Sequence, residues 1–66
     1  MSAKRVAMNL KVLREKRGLT QAELAAKANL SREYVLRLEA GRHDPALSTL
    51  EALAKALGVP VAKLLV

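Results

Sequence analysis

Between residues 20 and 40 the chain reads TQAELAAKANLSREYVLRLEA, and the spacing inside this stretch restricts the fold more than any other feature. A small residue, Ala25, is followed four positions later by Asn29. Two apolar residues, Val35 and Leu38, come six and nine positions after that. Two helices that cross closely need a small side chain where their backbones approach. The turn between them needs a residue that tolerates positive φ, and Asn is the best non-glycine type for that region. Val35 and Leu38, three apart, share one face of the second helix and anchor it to a core. The stretch from about Gln21 to Ala40 is therefore predicted to be a helix-turn-helix.

The rest of the chain has the same helical period, and no segment shows the alternation or β-branched enrichment of a strand. Val6, Leu10 and Leu13, with Arg17 one turn further, predict a first helix over about 3–17 that Gly18 stops. Thr20 and Glu23 form a capping-box pattern at the start of a second helix, about 21–28, whose Leu24 and Ala25 point inward. Ser31 is a suitable N-cap for a third helix, about 32–40, ended by Gly41. Residues 42–46 contain Pro45 and read as a loop. Leu50, Leu53, Ala54 and Leu57 then give the clearest amphipathic pattern, a fourth helix over about 47–57 closed by Gly58. Pro60 suits the first position of a short fifth helix, about 60–65. The expectation is one all-α domain of five helices over residues 1–66, without repeats or linkers.

Composition narrows the function classes. The chain has no Cys, Trp or Phe and a single Tyr, Tyr34, which leaves no disulfide framework, thiol chemistry or Cys-ligated zinc. No apolar run has the length of a membrane span, and the basic Met1–Arg5 stretch precedes no signal-type apolar core, so a soluble, cytoplasmic protein without membrane contact is expected. Residues 1–42 carry ten Lys and Arg against four Glu, a net of +6, whereas residues 43–66 balance Lys55 and Lys63 against Asp44 and Glu51. All of the excess positive charge lies where a footprint for a polyanion would fall.

The stretch TQAELAAKANLSREYVLRLEAG, followed by LSTLEALAKALGVP, resembles the Cro and lambda-repressor-like (XRE) family of helix-turn-helix proteins over about residues 6–65. The resemblance implies a compact five-helix lambda-repressor-like DNA-binding domain, usually a homodimer on an operator with two half-sites. Two positions depart from the family pattern. Asn29 stands where Gly is preferred, and Ala46 stands where a Ser cap commonly opens the fourth helix. The family's salt bridge between the end of helix one and the end of helix three maps onto Arg14 and Glu39, implying a structural pair.

Its base-contacting positions map onto Arg32, Glu33 and Arg37, on the face of helix three opposite Val35 and Leu38. Arg makes a bidentate contact with guanine O6 and N7, and Glu accepts from cytosine N4, so a half-site containing G·C pairs is expected. Glu33 also lies four residues before Arg37, so it either reads a base or orients Arg37 through an ion pair. Gln21, at the start of helix two, is placed to hold a phosphate with the free backbone N–H groups there. Thr20, Ser31, Tyr34, Arg42 and His43 complete the phosphate and sugar candidates. Tyr34 divides between packing on the core edge and reaching the DNA backbone. Ser48 and Thr49 are either further donors or ordinary helix-start residues. His43 has no second ligand at metal spacing. Val59, Val61, Leu64, Leu65 and Val66 exceed what a short terminal helix can cover, and part of the set is expected to form a symmetric dimer contact. Two recognition helices would then lie about one duplex turn apart, roughly 34–36 Å.

The function expected is that of a small homodimeric transcriptional regulator, of repressor or controller type, reading double-stranded DNA at a palindromic operator. No cofactor, metal or small-molecule ligand is expected. The competing class is a protein-interaction module, antitoxin-like or bridging, which predicts a partner segment beyond the helical domain. An enzyme finds no support in a chain with one His, no glycine-rich phosphate loop and no paired nucleophile and base. Single-stranded nucleic acid, which is gripped by stacking on several aromatic residues, is a poor match for one tyrosine.

Overall fold

Hydroxyl side chains open the first three helices. In the computed structural model, which describes residues 2–66, Ser2 Oγ accepts from the Arg5 N–H at 3.1 Å and Ser31 Oγ from the Tyr34 N–H at 3.1 Å. Thr20 and Glu23 complete the predicted capping box, the Thr20 hydroxyl accepting from the Glu23 N–H at 3.0 Å and Glu23 Oε1 from the Thr20 N–H at 2.8 Å. Each bond satisfies a donor that the first helical turn leaves without an internal partner. The resulting elements are α1 (Ala3–Lys16), α2 (Gln21–Ala28), α3 (Arg32–Glu39), α4 (Leu47–Leu57) and α5 (Ala62–Leu65), with no strand among the described residues. Ala46, at the start of α4, provides no side-chain cap.

The ends of the helices follow the stop residues. Asn29 sits in the left-handed region at φ 59° and ψ 42°, and the Leu30 N–H reaches back to the Ala25 carbonyl at 2.8 Å, closing a Schellman turn. Gly18, Gly41 and Gly58 hold the same positive φ after α1, α3 and α4. Three predicted boundaries shift. Arg17 and Ala40 are C-caps and not helical residues. Pro60 precedes α5 and does not begin it. Its carbonyl accepts from the Lys63 N–H at 3.0 Å, and that of Val61 accepts from Leu64 at 2.9 Å, so a tight three-residue turn leads into the helix.

Val6, Leu10, Leu24, Val35, Leu38, Leu50, Leu53, Leu57 and Leu64 are the largest fully buried side chains. They draw on all five helices, with α2 packed on α3 and α4, and α1 on α3 and α5. Leu13 is only partly buried, and Arg17 is exposed, contrary to the inward face predicted for it. Periodicity assigned Arg17 a face that the helix does not reach. Its Nη2 instead donates to the Gly58 carbonyl at 3.4 Å, joining the ends of α1 and α4. Leu64 is likewise corrected. With no exposed surface it belongs to the core and offers nothing to a second protomer. Asn9 on α1 holds the C-terminal turn in place, its Nδ2 donating to the Leu64 carbonyl at 3.0 Å and to the Val66 carbonyl at 2.7 Å. No helix among the described residues is long and apolar enough to cross a membrane.

Candidate nucleic-acid interface

Eight residues of α3 divide cleanly into two faces. Val35 and Leu38 are buried, and at 3.6 residues per turn this turns Arg32, Glu33, Leu36 and Arg37 outward, where all four are exposed. The only ion pair among the described residues is Arg14–Glu39. Arg32, Arg37 and Arg42 therefore carry charge that no acidic side chain neutralises, the condition for attracting a polyanion.

Arg37 is set against Tyr34. Its guanidinium carbon lies 5.8 Å from the centroid of the Tyr34 ring, within the range of a cation–π contact, and no ion pair joins it to Glu33. The His43 ring meets the same tyrosine edge-on, at 5.2 Å between centroids and 72° between planes. Tyr34 packs partly on the core. It thus contacts one residue of α3 and one of the loop that follows, both exposed. Arg42 lies beside His43 in that loop and is exposed as well.

Behind α3 a polar network ties three helices together. Arg14 grips the Glu39 carboxylate with two parallel bonds, Nε to Oε2 at 2.6 Å and Nη2 to Oε1 at 3.0 Å, while Nη1 donates to the Leu19 carbonyl at 2.8 Å. The side chains are 11% and 4% exposed. Hydrogen bonding to Glu39 raises the Arg14 pKa above its ordinary value, against the opposing effect of burial. Gln21 is the third member, its Nε2 donating to Glu39 Oε1 at 3.1 Å. One amide proton of Gln21 is held this way, and the other remains for an external acceptor. Thr20 and Ser31 use their hydroxyl oxygens as acceptors in the caps, and the Ser31 hydroxyl retains a proton to donate outward.

Lys11 was not visible as a candidate from the sequence. It lines a shallow depression of about 360 Å³ with Arg14, Gln21, Leu36, Glu39 and Ala40, which sets a cation beside the start of α2. The signal was present in its position three residues before Arg14, on the same side of α1. Among the described residues no group of His, Asp and Glu converges to hold a metal. The chemistry of this surface is that of cations, amides and hydroxyls around a protruding helix.

Residues 10–64 match the helix-turn-helix family HTH_3. The chain belongs to that family. Among its relatives, the immunity repressor protein of Bacillus phage phi105 is 54% identical over 56 residues, which are 85% of this chain and 39% of the repressor's length. The restriction-modification controller protein C.AhdI from Aeromonas hydrophila superposes with a TM-score of 0.91 at 32% identity, covering 94% of each chain. The hypothetical transcription factor NHTF from Neisseria gives a TM-score of 0.95 at 38% identity, covering all of this chain and 76% of that one. The HTH_3 domain described here thus has the fold of transcriptional regulators and repressors, and these named relatives are regulators and not enzymes.

Proposed function

We propose that this chain is a sequence-specific regulator of transcription that binds duplex DNA as a homodimer, with α3 of each protomer in the major groove. The observation that carries this reading is the division of α3. Arg32, Glu33 and Arg37 project from a helix whose opposite side is locked into the core, and Gln21 is held beside it by Glu39. Arg32 and Arg37 read guanine, and Glu33, exposed and unpaired, accepts from a cytosine amino group. Thr20, Gln21, Ser31, Arg42 and His43 hold the flanking phosphates, with the Tyr34 ring between Arg37 and His43.

Exposed apolar surface supports the dimer. Val66 is 73% exposed, and Val59, Val61 and Leu65 are only partly covered by the core, an apolar edge suited to a symmetric contact.

Selection of bound sequences from random duplex DNA tests the reading. The expected product is a palindromic motif whose recognition is relaxed by Arg32→Ala or Arg37→Ala, each at a cost of about 1–3 kcal/mol. Gln21→Ala should weaken all sites about equally, because a phosphate contact carries no base information. Val66→Glu should shift the sedimenting species from dimer to monomer and weaken operator binding. Equal affinity for every duplex would refute sequence-specific reading, and an unchanged dimer in Val66→Glu would refute the proposed contact.

A further inference from the structure

Among the described residues five large apolar side chains are exposed, Met8, Val12, Leu36, Leu47 and Val66, and only Leu36 lies on the outward face of α3. It is 46% exposed on a helix that buries its other aliphatic residues, Val35 and Leu38, almost completely. Single exposed leucines are common on protein surfaces, so exposure alone decides nothing. The position does. Leu36 is flanked on its own face by Glu33 and Arg37, and it shares a depression with Gln21 and with Ala40, the exposed C-cap of α3 four residues on. Leu36 and Ala40 together form an apolar ledge between the residue that grips a phosphate and the residues that face base edges.

The major groove displays hydrogen-bonding groups at every base pair and one apolar group, the C5 methyl of thymine. We infer that Leu36 is a specificity-determining residue that selects a T·A pair by packing on this methyl group, inside the half-site whose G·C pairs Arg32 and Arg37 address. The inference rests on the proposed reading of DNA by α3. It adds a contact of a different kind, because the recognition is by burial of apolar surface and requires no donor or acceptor. Leu36 is on the surface and supports no core contact that truncation would empty, so Leu36→Ala should fold as the parent does.

The experiment compares duplexes built on the selected operator, in which each thymine in turn is replaced by uracil. This change deletes the methyl group and leaves pairing and hydrogen-bonding groups intact. At one thymine of each half-site the parent protein should lose affinity about fourfold, the effect of burying one methyl-sized group. Leu36→Ala should bind the thymine and uracil forms of that site equally while keeping its preference for the G·C pairs. A parent protein indifferent to uracil at every position would overturn the assignment of Leu36, as would a Leu36→Ala variant that kept the full preference for thymine. Failure to select any motif at all would instead overturn the reading of DNA by α3 on which this inference stands.

Discussion

Removing Glu39 should destabilise the protein more than removing Glu39 and Arg14 together. The Glu39 carboxylate is 4% exposed and accepts three hydrogen bonds, two from Arg14 and one from Gln21. In Glu39→Ala the guanidinium stays where it is, 11% exposed, with two of its N–H groups facing a void in place of an anion. Breaking a buried pair by deleting one partner costs about 3–5 kcal/mol. A chain of this length has about 3–10 kcal/mol of total stability, so the loss takes a large share of it. At about 4–8 °C per kcal/mol for a domain of this size, the midpoint should fall by more than about 12 °C. In Arg14→Leu/Glu39→Leu no charge is left behind, and apolar replacement of a buried ion pair is often neutral or stabilising. The Leu19 carbonyl then loses the donor it has in Arg14, at a cost of about 1–3 kcal/mol if water does not replace it. The double variant should therefore melt well above the single one. Because hydrogen bonding to Glu39 raises the Arg14 pKa, the share that depends on this guanidinium is present below its unfolded pKa and is lost only in strong alkali. The loss in Glu39→Ala relative to the parent should accordingly be unchanged from neutral to mildly alkaline pH. Thermal unfolding followed by circular dichroism measures all of this. A Glu39→Ala protein that melts with the parent, or a double variant that melts with the single one, would refute the reasoning.

Three further outcomes are expected. Glu23 is held below the usual carboxylate range, first by the Thr20 backbone N–H and then by the Thr20 side chain. Its contribution is therefore present above the ordinary carboxylate pKa and lost as pH falls through the lowered value, so Glu23→Gln should flatten part of the acid limb of a melting-temperature profile. Asn29→Ala should lower stability by about 1–2 kcal/mol in a urea titration, the cost of a Cβ in the left-handed region without a locally bonding side chain, while Asn29→Gly should be near neutral. Asn9→Ala should release the turn of residues 62–66, detectable as faster amide exchange and proteolysis confined to that end, with the helix-turn-helix still protected.

The parts of the fold that were legible in the sequence are those fixed by local backbone chemistry. Asn29 and the glycines after α1, α3 and α4 stop helices because the left-handed region suits few residues, and Thr20 and Ser31 start them because their hydroxyls reach the N–H groups three residues on. What depends on the rotation of one helix against another could not be read this way. Gln21 and Glu39 are 18 residues apart, and Asn9 lies 55 residues from Leu64, so their hydrogen bonds exist only once the core has set the helices side by side. Arg37 had two partners at allowed helical spacing, Glu33 and Tyr34. The tyrosine holds it, since a ring anchored on the core is a fixed platform and an exposed carboxylate is a mobile, hydrated one. Leu64 was grouped with its apolar neighbours as a dimer candidate because composition cannot tell which of several adjacent valines and leucines turns inward.

The recognition helix keeps its duties on separate letters. Val35, Leu38 and Glu39 attach α3 to the rest of the molecule, and Arg32, Glu33, Leu36 and Arg37 are exposed, Arg37 against the Tyr34 ring and Leu36 at a depression that Lys11, Arg14 and Gln21 also line. The outer four can therefore be rewritten as a library without disturbing the scaffold. If α3 reads DNA as proposed, operator preference can drift or be engineered along one edge of eight residues while the melting temperature stays where Leu38 and Glu39 hold it.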